Sequence, residues 1–169
     1  TLVSGEAENS WEPILLDVAR GREKPLYRIS DYPDISRMPA PQADPRYMKK
    51  FALPHMGTID CSRGCPFNCS FCTIINVQGR KMRCRSAESV LKTIRDNYGR
   101  GITHYFFTDD NFSRNPRWRD VFDGIISMRV NEGLNVTFMM QVDTQSASIP
   151  GFVEKAARGG CSQVFIGME

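Results

Sequence analysis

From about residue 51 onward the chain alternates short apolar runs with stretches whose apolar positions recur every three or four residues. Gly57-Thr58-Ile59-Asp60-Cys61 reads as a short strand that leads into a cysteine-rich loop. Ser86 is placed to cap a helix over 87–98, with Val90, Leu91, Ile94 and Tyr98 on one face and Gly99 at its end. Thr103 to Thr108 is a second strand, and it runs into the acidic turn Asp109-Asp110-Asn111. Pro116 starts another helix, with Trp118, Val121, Phe122, Ile125 and Ile126 facing the core. A third strand spans 136–142, a third helix 150–158 and a fourth strand 163–168. Strands separated by single helices predict βαβ units and a parallel sheet. In such folds the chemistry sits at the carboxyl ends of the strands, where the cysteine loop and the acidic turn both fall.

The chain before residue 51 is patterned differently. Leu2 to Glu8 reads as the end of a strand and its loop. A short helix follows, with Ser10 as N-cap, Pro13 in the first turn, Ile14, Leu15 and Val18 as an apolar stripe, and Gly21 as the stop. Residues 22–50 carry Pro25, Pro33, Pro39, Pro41 and Pro45 with few periodic apolar positions, which predicts an extended linker. At the other end, Gln163 to Glu169 reads as a buried strand cut just after it finishes. The chain is therefore expected to be a fragment with sequence missing on both sides.

Composition narrows the function classes. At 41% hydrophobic and 24% charged residues the chain reads as globular, and no apolar run approaches the roughly 20 residues that span a bilayer. The net charge of +3 conceals a basic middle: eleven Lys or Arg against three acids between Arg46 and Arg100. Aromatics do not interleave with that stretch as a stacking platform for bases requires, which argues against nucleic acid. Three of the six cysteines fall within eight residues. A disulfide framework would spread its pairs along the chain, so the cluster points to a metal site in a reducing compartment and to a cytoplasmic protein.

The loop itself is Cys61-Ser62-Arg63-Gly64-Cys65-Pro66-Phe67-Asn68-Cys69-Ser70-Phe71-Cys72. Cys65, Cys69 and Cys72 have C-x3-C-x2-C spacing, short enough to wrap three corners of an iron–sulfur cubane. Three thiolates on four irons leave one iron open, and an open position separates a catalytic metal site from a closed one. Two other readings stand beside this one: a zinc site with Cys61 as fourth thiolate, and a closed four-cysteine cluster. Zinc sites more often arrive as two short pairs separated by a longer loop.

With Phe71 just before the last cysteine, this segment resembles the signature of the radical S-adenosylmethionine (SAM) superfamily, and its place after the first strand of a βα series matches too. The likeness runs from about residue 57 to the end. It implies that Cys65, Cys69 and Cys72 hold a [4Fe–4S] cluster whose open iron binds the amino and carboxylate groups of SAM. The reduced cluster would pass one electron into the sulfonium, giving a 5′-deoxyadenosyl radical that abstracts hydrogen from an unactivated carbon. By the same likeness Phe71 lies beside the cofactors, and the turn Asp109, Asp110 and Asn111 stands where the family has a Gly-Gly-Glu-like contact to the SAM amino group. Gln141 and Asp143 close the third strand and Glu169 the fourth, where relatives contact the ribose or methionine portion. Acids and amides at such turns equally serve as helix caps. Cys61 departs from the family pattern and reads as a small buried residue at a strand end. Arg83 and Arg85 stand either near the SAM carboxylate or on the surface, with the surface favoured, and His55 and His104 read as structural.

Gly5-Glu6-Ala7-Glu8, a short helix and a Pro-rich linker into Cys-Ser-Arg-Gly-Cys-Pro are similar to the join between a cobalamin-binding domain and a radical SAM barrel. The resemblance thus implies three parts: residues 1–20 as the tail of a Rossmann-like cobalamin-binding domain, 21–50 as linker, and 51–169 as the start of the core. The expected fold class is α/β, the N-terminal part of a partial (β/α)6 barrel with about four parallel strands. The expected activity is cobalamin-dependent methyl transfer or related radical chemistry on a small-molecule or lipid-like substrate, with flavodoxin or ferredoxin as reductant. A cobalamin-free enzyme such as a methylthiotransferase and a non-catalytic zinc or iron–sulfur module are the alternatives. No further catalytic residue is assigned.

Overall fold

The four apolar runs after residue 51 pair side by side, in chain order, in a computed structural model that describes residues 1–40 and 42–167. They are β3 (Met56–Ile59), β6 (His104–Phe107), β7 (Thr137–Val142) and β8 (Cys161–Ile166), all parallel. Helices α4 (Ala87–Tyr98), α5 (Trp118–Asn131) and α6 (Phe152–Gly159) are the crossovers between them. Side chains alternate across each strand, so Ile59, Tyr105, Phe107, Phe138 and Met140 pack under the helices against Val90, Ile94, Phe122, Ile125 and Phe152. Phe107 stacks on Phe138 with ring centroids 4.7 Å apart, and Phe122 lies 5.5 Å from Phe138. The opposite face carries Thr58, Phe106, Met139 and Gln141 between the strands' buried positions, each partly or wholly accessible. The result is an α/β fold whose partial parallel sheet suits a (β/α) barrel core.

Helix α4 forms where its periodicity places it because both ends are defined locally. Ser86 is extended and its side chain accepts from the Ser89 N–H, while the chain turns out of the helix at Gly99. Ser86→Ala removes the side-chain acceptor for that orphan N–H, so a loss of about 1 kcal/mol is expected. A chemical or thermal melt of the variant beside the parent measures it. The fourth strand begins two residues earlier than its apolar pattern implies, at Cys161, because a register irregularity between Phe138 and Met139 draws that residue into the ladder.

The unit Thr1–Asp34 is separate from the unit Ile35–Glu169. In it β1 (Leu2–Ser4) pairs in parallel with β2 (Leu26–Arg28), and α1 (Trp11–Ala19) crosses between them. Residues 26–28, read from sequence as part of an extended linker, are thus a strand. The Tyr27 hydroxyl donates to Asp17 at 2.9 Å and ties that strand to the helix. Gly5 makes the turn after β1 with φ +105°, and a Cβ there would lie 2.1 Å from the Ile29 carbonyl oxygen. Helix α1 departs from its expected form: Ser10 gives no side-chain cap, and Ile14 is buried whereas Leu15 and Val18 are exposed.

Among the remaining described segments, Pro45–Met48 forms a single turn, α2, capped by the Asp44 side chain. No helix among the described residues is long and apolar enough to cross a membrane.

Candidate functional site

The strand β3 ends at Ile59, and the chain then leaves the sheet through the cysteine loop. Its two arms are closed at the base by a minimal antiparallel ladder, β4 (Ser62–Arg63) with β5 (Arg83–Cys84). Above that ladder the arms come so close that Gly64 is required: at φ +93°, a Cβ would sit 2.8 Å from the Lys81 carbonyl oxygen. The Gly64 N–H donates to Gln78 Oε1 at 3.0 Å, and the Cys65 N–H to the Gly79 carbonyl at 3.2 Å. The single turn α3 (Ile74–Val77) follows the last cysteine of the cluster.

The root of the loop is held from two sides. Asp109, wholly buried at the end of β6, accepts from the Cys61 N–H at 2.9 Å and from the Ser62 hydroxyl. Burial raises the Asp109 carboxyl to about 7, and those donors only partly offset it. From the other side the Arg85 N–H donates to the Cys61 carbonyl at 2.9 Å. The Arg85 guanidinium pairs with Asp60 at 2.9 Å and reaches the Met38 carbonyl at 2.8 Å. At 3% exposure Arg85 is a buried strut, which corrects its reading as a surface residue. Cys61 is fully buried, as its reading as a small residue at the strand end requires.

The three clustered thiols lie on the outer part of the loop, with Cys65 and Cys72 half-buried and Cys69 exposed, and all six cysteines of the chain are free. Burial pushes the Cys65 thiol up, and repulsion from Asp110, Cys69 and Cys72 adds to it, while the nearby Phe67 backbone pulls it down. The three sulfurs and Asp110 therefore share one neighbourhood. Among the described residues, no three His, Cys, Asp or Glu side chains are drawn together tightly enough to hold a single ion.

The acidic turn divides its two carboxylates. Asp109 faces inward and is fully committed to the loop root. Asp110 is half-buried; burial raises its carboxyl above the ordinary range, and the nearby Gly64 backbone partly offsets this. Its Oδ2 is buried and has no hydrogen-bond partner among the described residues. The other expected contacts are spoken for within the protein. Gln141 Nε2 donates to the Asp109 carbonyl at 3.2 Å, and Asn111 Nδ2 donates to Asp143 at 2.8 Å. Asp143 also receives both arms of Arg114, at 2.7 and 2.8 Å. Phe71 is 64% exposed, and Glu169 lies outside the described residues. Arg114, Phe67 and Ser62 take part here without any sequence signal of their own, because each acts through a partner distant in the chain.

An apolar cavity of about 460 Å³, lined by Met48, Phe51, Leu53, Met56 and Asn97, opens near the start of β3 and the end of α4. That is the end of the sheet opposite the cysteine loop, so it is not the site described above.

Residues 59–169 match the family model described as the Radical SAM superfamily. Across its whole length the chain is 29% identical to the bacteriochlorophyllide d C-12(1)-methyltransferase of Chlorobaculum tepidum, of which it covers 37%. It is 30% identical, over 99% of its length, to the bacteriochlorophyllide d C-8(2)-methyltransferase of the same organism, of which it covers 39%. The chain therefore spans well under half the length of these curated relatives. Among solved structures, the cobalamin-dependent SAM radical enzyme OxsB, with aqua-cobalamin and SAM bound, is similar in fold. Its TM-score is 0.73 at 18% identity, over 98% of this chain and 27% of that one.

Proposed function

The chain belongs to the radical SAM superfamily, and on that premise we propose that it is part of a cobalamin-dependent methyltransferase in which Cys65, Cys69 and Cys72 hold a [4Fe–4S] cluster and Asp110 receives the ammonium of SAM. The observation that carries this reading is the buried, unpartnered Oδ2 of Asp110 beside the Cys65 thiol. A buried carboxylate oxygen without a donor is unfavourable, and an ammonium supplies both the donor and the compensating charge. The donor set fits as well, since a cubane gives each cysteine its own iron and its thiolates need not converge on one point. When bound, the cluster and SAM supply one-electron cleavage of a sulfonium, and cobalamin supplies a methyl carrier.

The chain's own residues do the positioning. Asp109, Ser62 and Arg85 hold the root of the cysteine loop at the carboxyl end of β3, and Asp110 binds and orients the amino group. Phe106 and Phe165 meet edge to face at 6.0 Å on the inner side of the sheet, where they would give apolar cover to a reactive carbon centre. Glu169 and Phe71 remain candidate contacts for the cofactors, with Asn111 and Gln141 acting through the residues they hold. No residue of this chain is assigned to holding cobalamin.

In this reading residues 51–169 begin a partial (β/α)6 barrel, and the tail of a cobalamin-binding Rossmann-like domain includes β2 and so runs past the boundary expected at residue 20. The parallel β1–α1–β2 unit and the alignment of nearly the whole chain with OxsB support it. The names of the curated relatives support methyl transfer to a small-molecule or lipid-like acceptor. Six free cysteines support a cytoplasmic setting with a flavodoxin or ferredoxin as reductant. Anaerobic reconstitution of the complete protein tests the reading. About four irons per chain are expected, with a reduced-cluster electron paramagnetic resonance spectrum that changes when SAM is added. A spectrum indifferent to SAM points instead to a closed, non-catalytic centre.

A further inference from the structure

The apolar cavity near the start of β3 has no part in the site at the other end of the sheet, and its surroundings specify what it can take. Met48, Phe51, Leu53 and Met56 line a space of about 460 Å³, within the range of ligand pockets. Phe51 and Leu53 are each 62% exposed, and Tyr47 close by in the chain is 59% exposed. Single apolar residues on a surface are ordinary, but several grouped at one hollow mark an interaction site. β3 is an edge strand with β6 on one side, so no other described strand covers the hollow.

The rim is basic. From Pro45 to Ile59 there is no Asp or Glu, whereas Arg46, Lys49 and Lys50 are all present and exposed. Arg100 reaches the mouth from the end of α4. Its terminal nitrogens donate to the Ala43 carbonyl at 3.0 Å and to Gln42 Oε1 at 3.3 Å, and both of those residues line the cavity. Because these acceptors are neutral, the guanidinium keeps its charge at the mouth. Asp44, the acid nearest in sequence, is taken by Arg46 at 2.7 Å. Lys50 stands 5.9 Å from the Tyr47 ring centroid, and among the described residues neither Lys49 nor Lys50 is paired with an acid.

Protruding aromatic and aliphatic side chains among uncompensated cations are the pattern that binds an anionic bilayer surface: the apolar groups enter the acyl boundary and the cations meet the headgroups. An acidic polypeptide would meet the same cations. To fill the hollow, however, it would have to bury backbone polar groups against a mostly apolar wall, whereas an acyl chain carries none. We propose that this segment and Arg100 form a docking surface for an anionic lipid bilayer, with Phe51 and Leu53 inserted, an acyl chain in the cavity, and Lys49, Lys50 and Arg100 on the headgroups. The inference goes beyond methyl transfer and does not depend on the cluster, because every residue it uses lies away from the cysteines.

Cosedimentation of the complete, anaerobically reconstituted protein with lipid vesicles tests it. The parent is expected to pellet with vesicles rich in phosphatidylglycerol, to be released by salt, and to stay in solution with phosphatidylcholine vesicles. Lys49→Gln/Lys50→Gln should weaken binding about fivefold per cation removed. Phe51→Ser/Leu53→Ser should weaken it about tenfold or more. All four side chains are exposed, so both variants should melt like the parent. In a Phe51→Trp protein the emission should move to shorter wavelength only when anionic vesicles are added. No binding by the parent, equal binding to both kinds of vesicle, or unchanged binding in either double variant would each overturn the inference. So would a Phe51→Trp emission already shifted without lipid, which would mean that another segment of the complete protein or a second copy covers the patch. The cluster assignment is read from iron content and stands or falls separately.

Discussion

Replacing any one of Cys65, Cys69 or Cys72 by alanine in the complete protein is expected to abolish SAM cleavage, whereas Cys61→Ala, Cys84→Ala and Cys161→Ala leave it largely intact. Each thiolate of the first group would hold a separate iron, and a cubane missing one corner ligand loses iron or fails to assemble. The second group is disqualified by its surroundings. Cys61 is wholly buried, and burial, then the nearby charges of Asp109 and Asp60, push its thiol well above its ordinary range. Burial likewise raises Cys84, to about 11. Cys61 is buried at the root of the loop, Cys84 is held in the ladder opposite Ser62, and Cys161 starts β8, all outside the C-x3-C-x2-C run. Iron and sulfide counts, with the yield of 5′-deoxyadenosine, measure the outcome. Loss of the cluster in Cys61→Ala alone would contradict the three-cysteine assignment and favour a closed four-thiolate site.

The acidic turn yields the second large effect. Asp110→Asn is expected to weaken SAM binding about ten- to a hundredfold while the cluster remains, because a charge-assisted hydrogen bond of roughly 1.5–3 kcal/mol is removed. Asp109→Asn is expected to leave SAM affinity nearly unchanged and to act on stability instead. The folded Asp109 titrates at about 7, raised from an ordinary 3.8. Its stabilising contribution is therefore fully present below the ordinary value and fades as pH rises through about 7. Melting of the cluster-free protein across that window should show a decline in the parent that the Asp109→Asn variant lacks. Equal losses of SAM affinity in the two variants would mean that the turn does not divide its acids as described.

Much of this was legible without coordinates. Strands and helices after residue 51 announce themselves because each buries one face, and burial imposes a period of two or of 3.6 on the apolar positions. The cap at Ser86, the three-cysteine spacing and the position of the acidic turn at a strand end are local properties of the same kind. The short unit at the start was less legible. Its strand Leu26–Arg28 is three residues long, too short to carry a period, and it exists because Leu2–Ser4 pairs with it. Helix α1 misled for a related reason: an apolar stripe identifies a face that could be buried, and of its expected members Ile14 is the one covered.

The sequence by itself determined the order of elements, the family likeness and the set of residues gathered at one end of the sheet, because periodicity, capping and ligand spacing are encoded within about a dozen neighbouring positions. Tertiary structure alone decided how those residues divide the work. Asp109 and Asp110 are adjacent in the chain and chemically identical, yet consecutive positions at a strand end point to different sides. One meets Cys61 and Ser62, nearly fifty residues earlier, and the other is left with a buried oxygen that nothing among the described residues satisfies. Arg85 and Arg114 became struts because their partners, Asp60 and Asp143, arrive from separate strands. Which charges are spent inside the protein and which remain for a ligand depends on contacts between distant segments, and no local pattern records them.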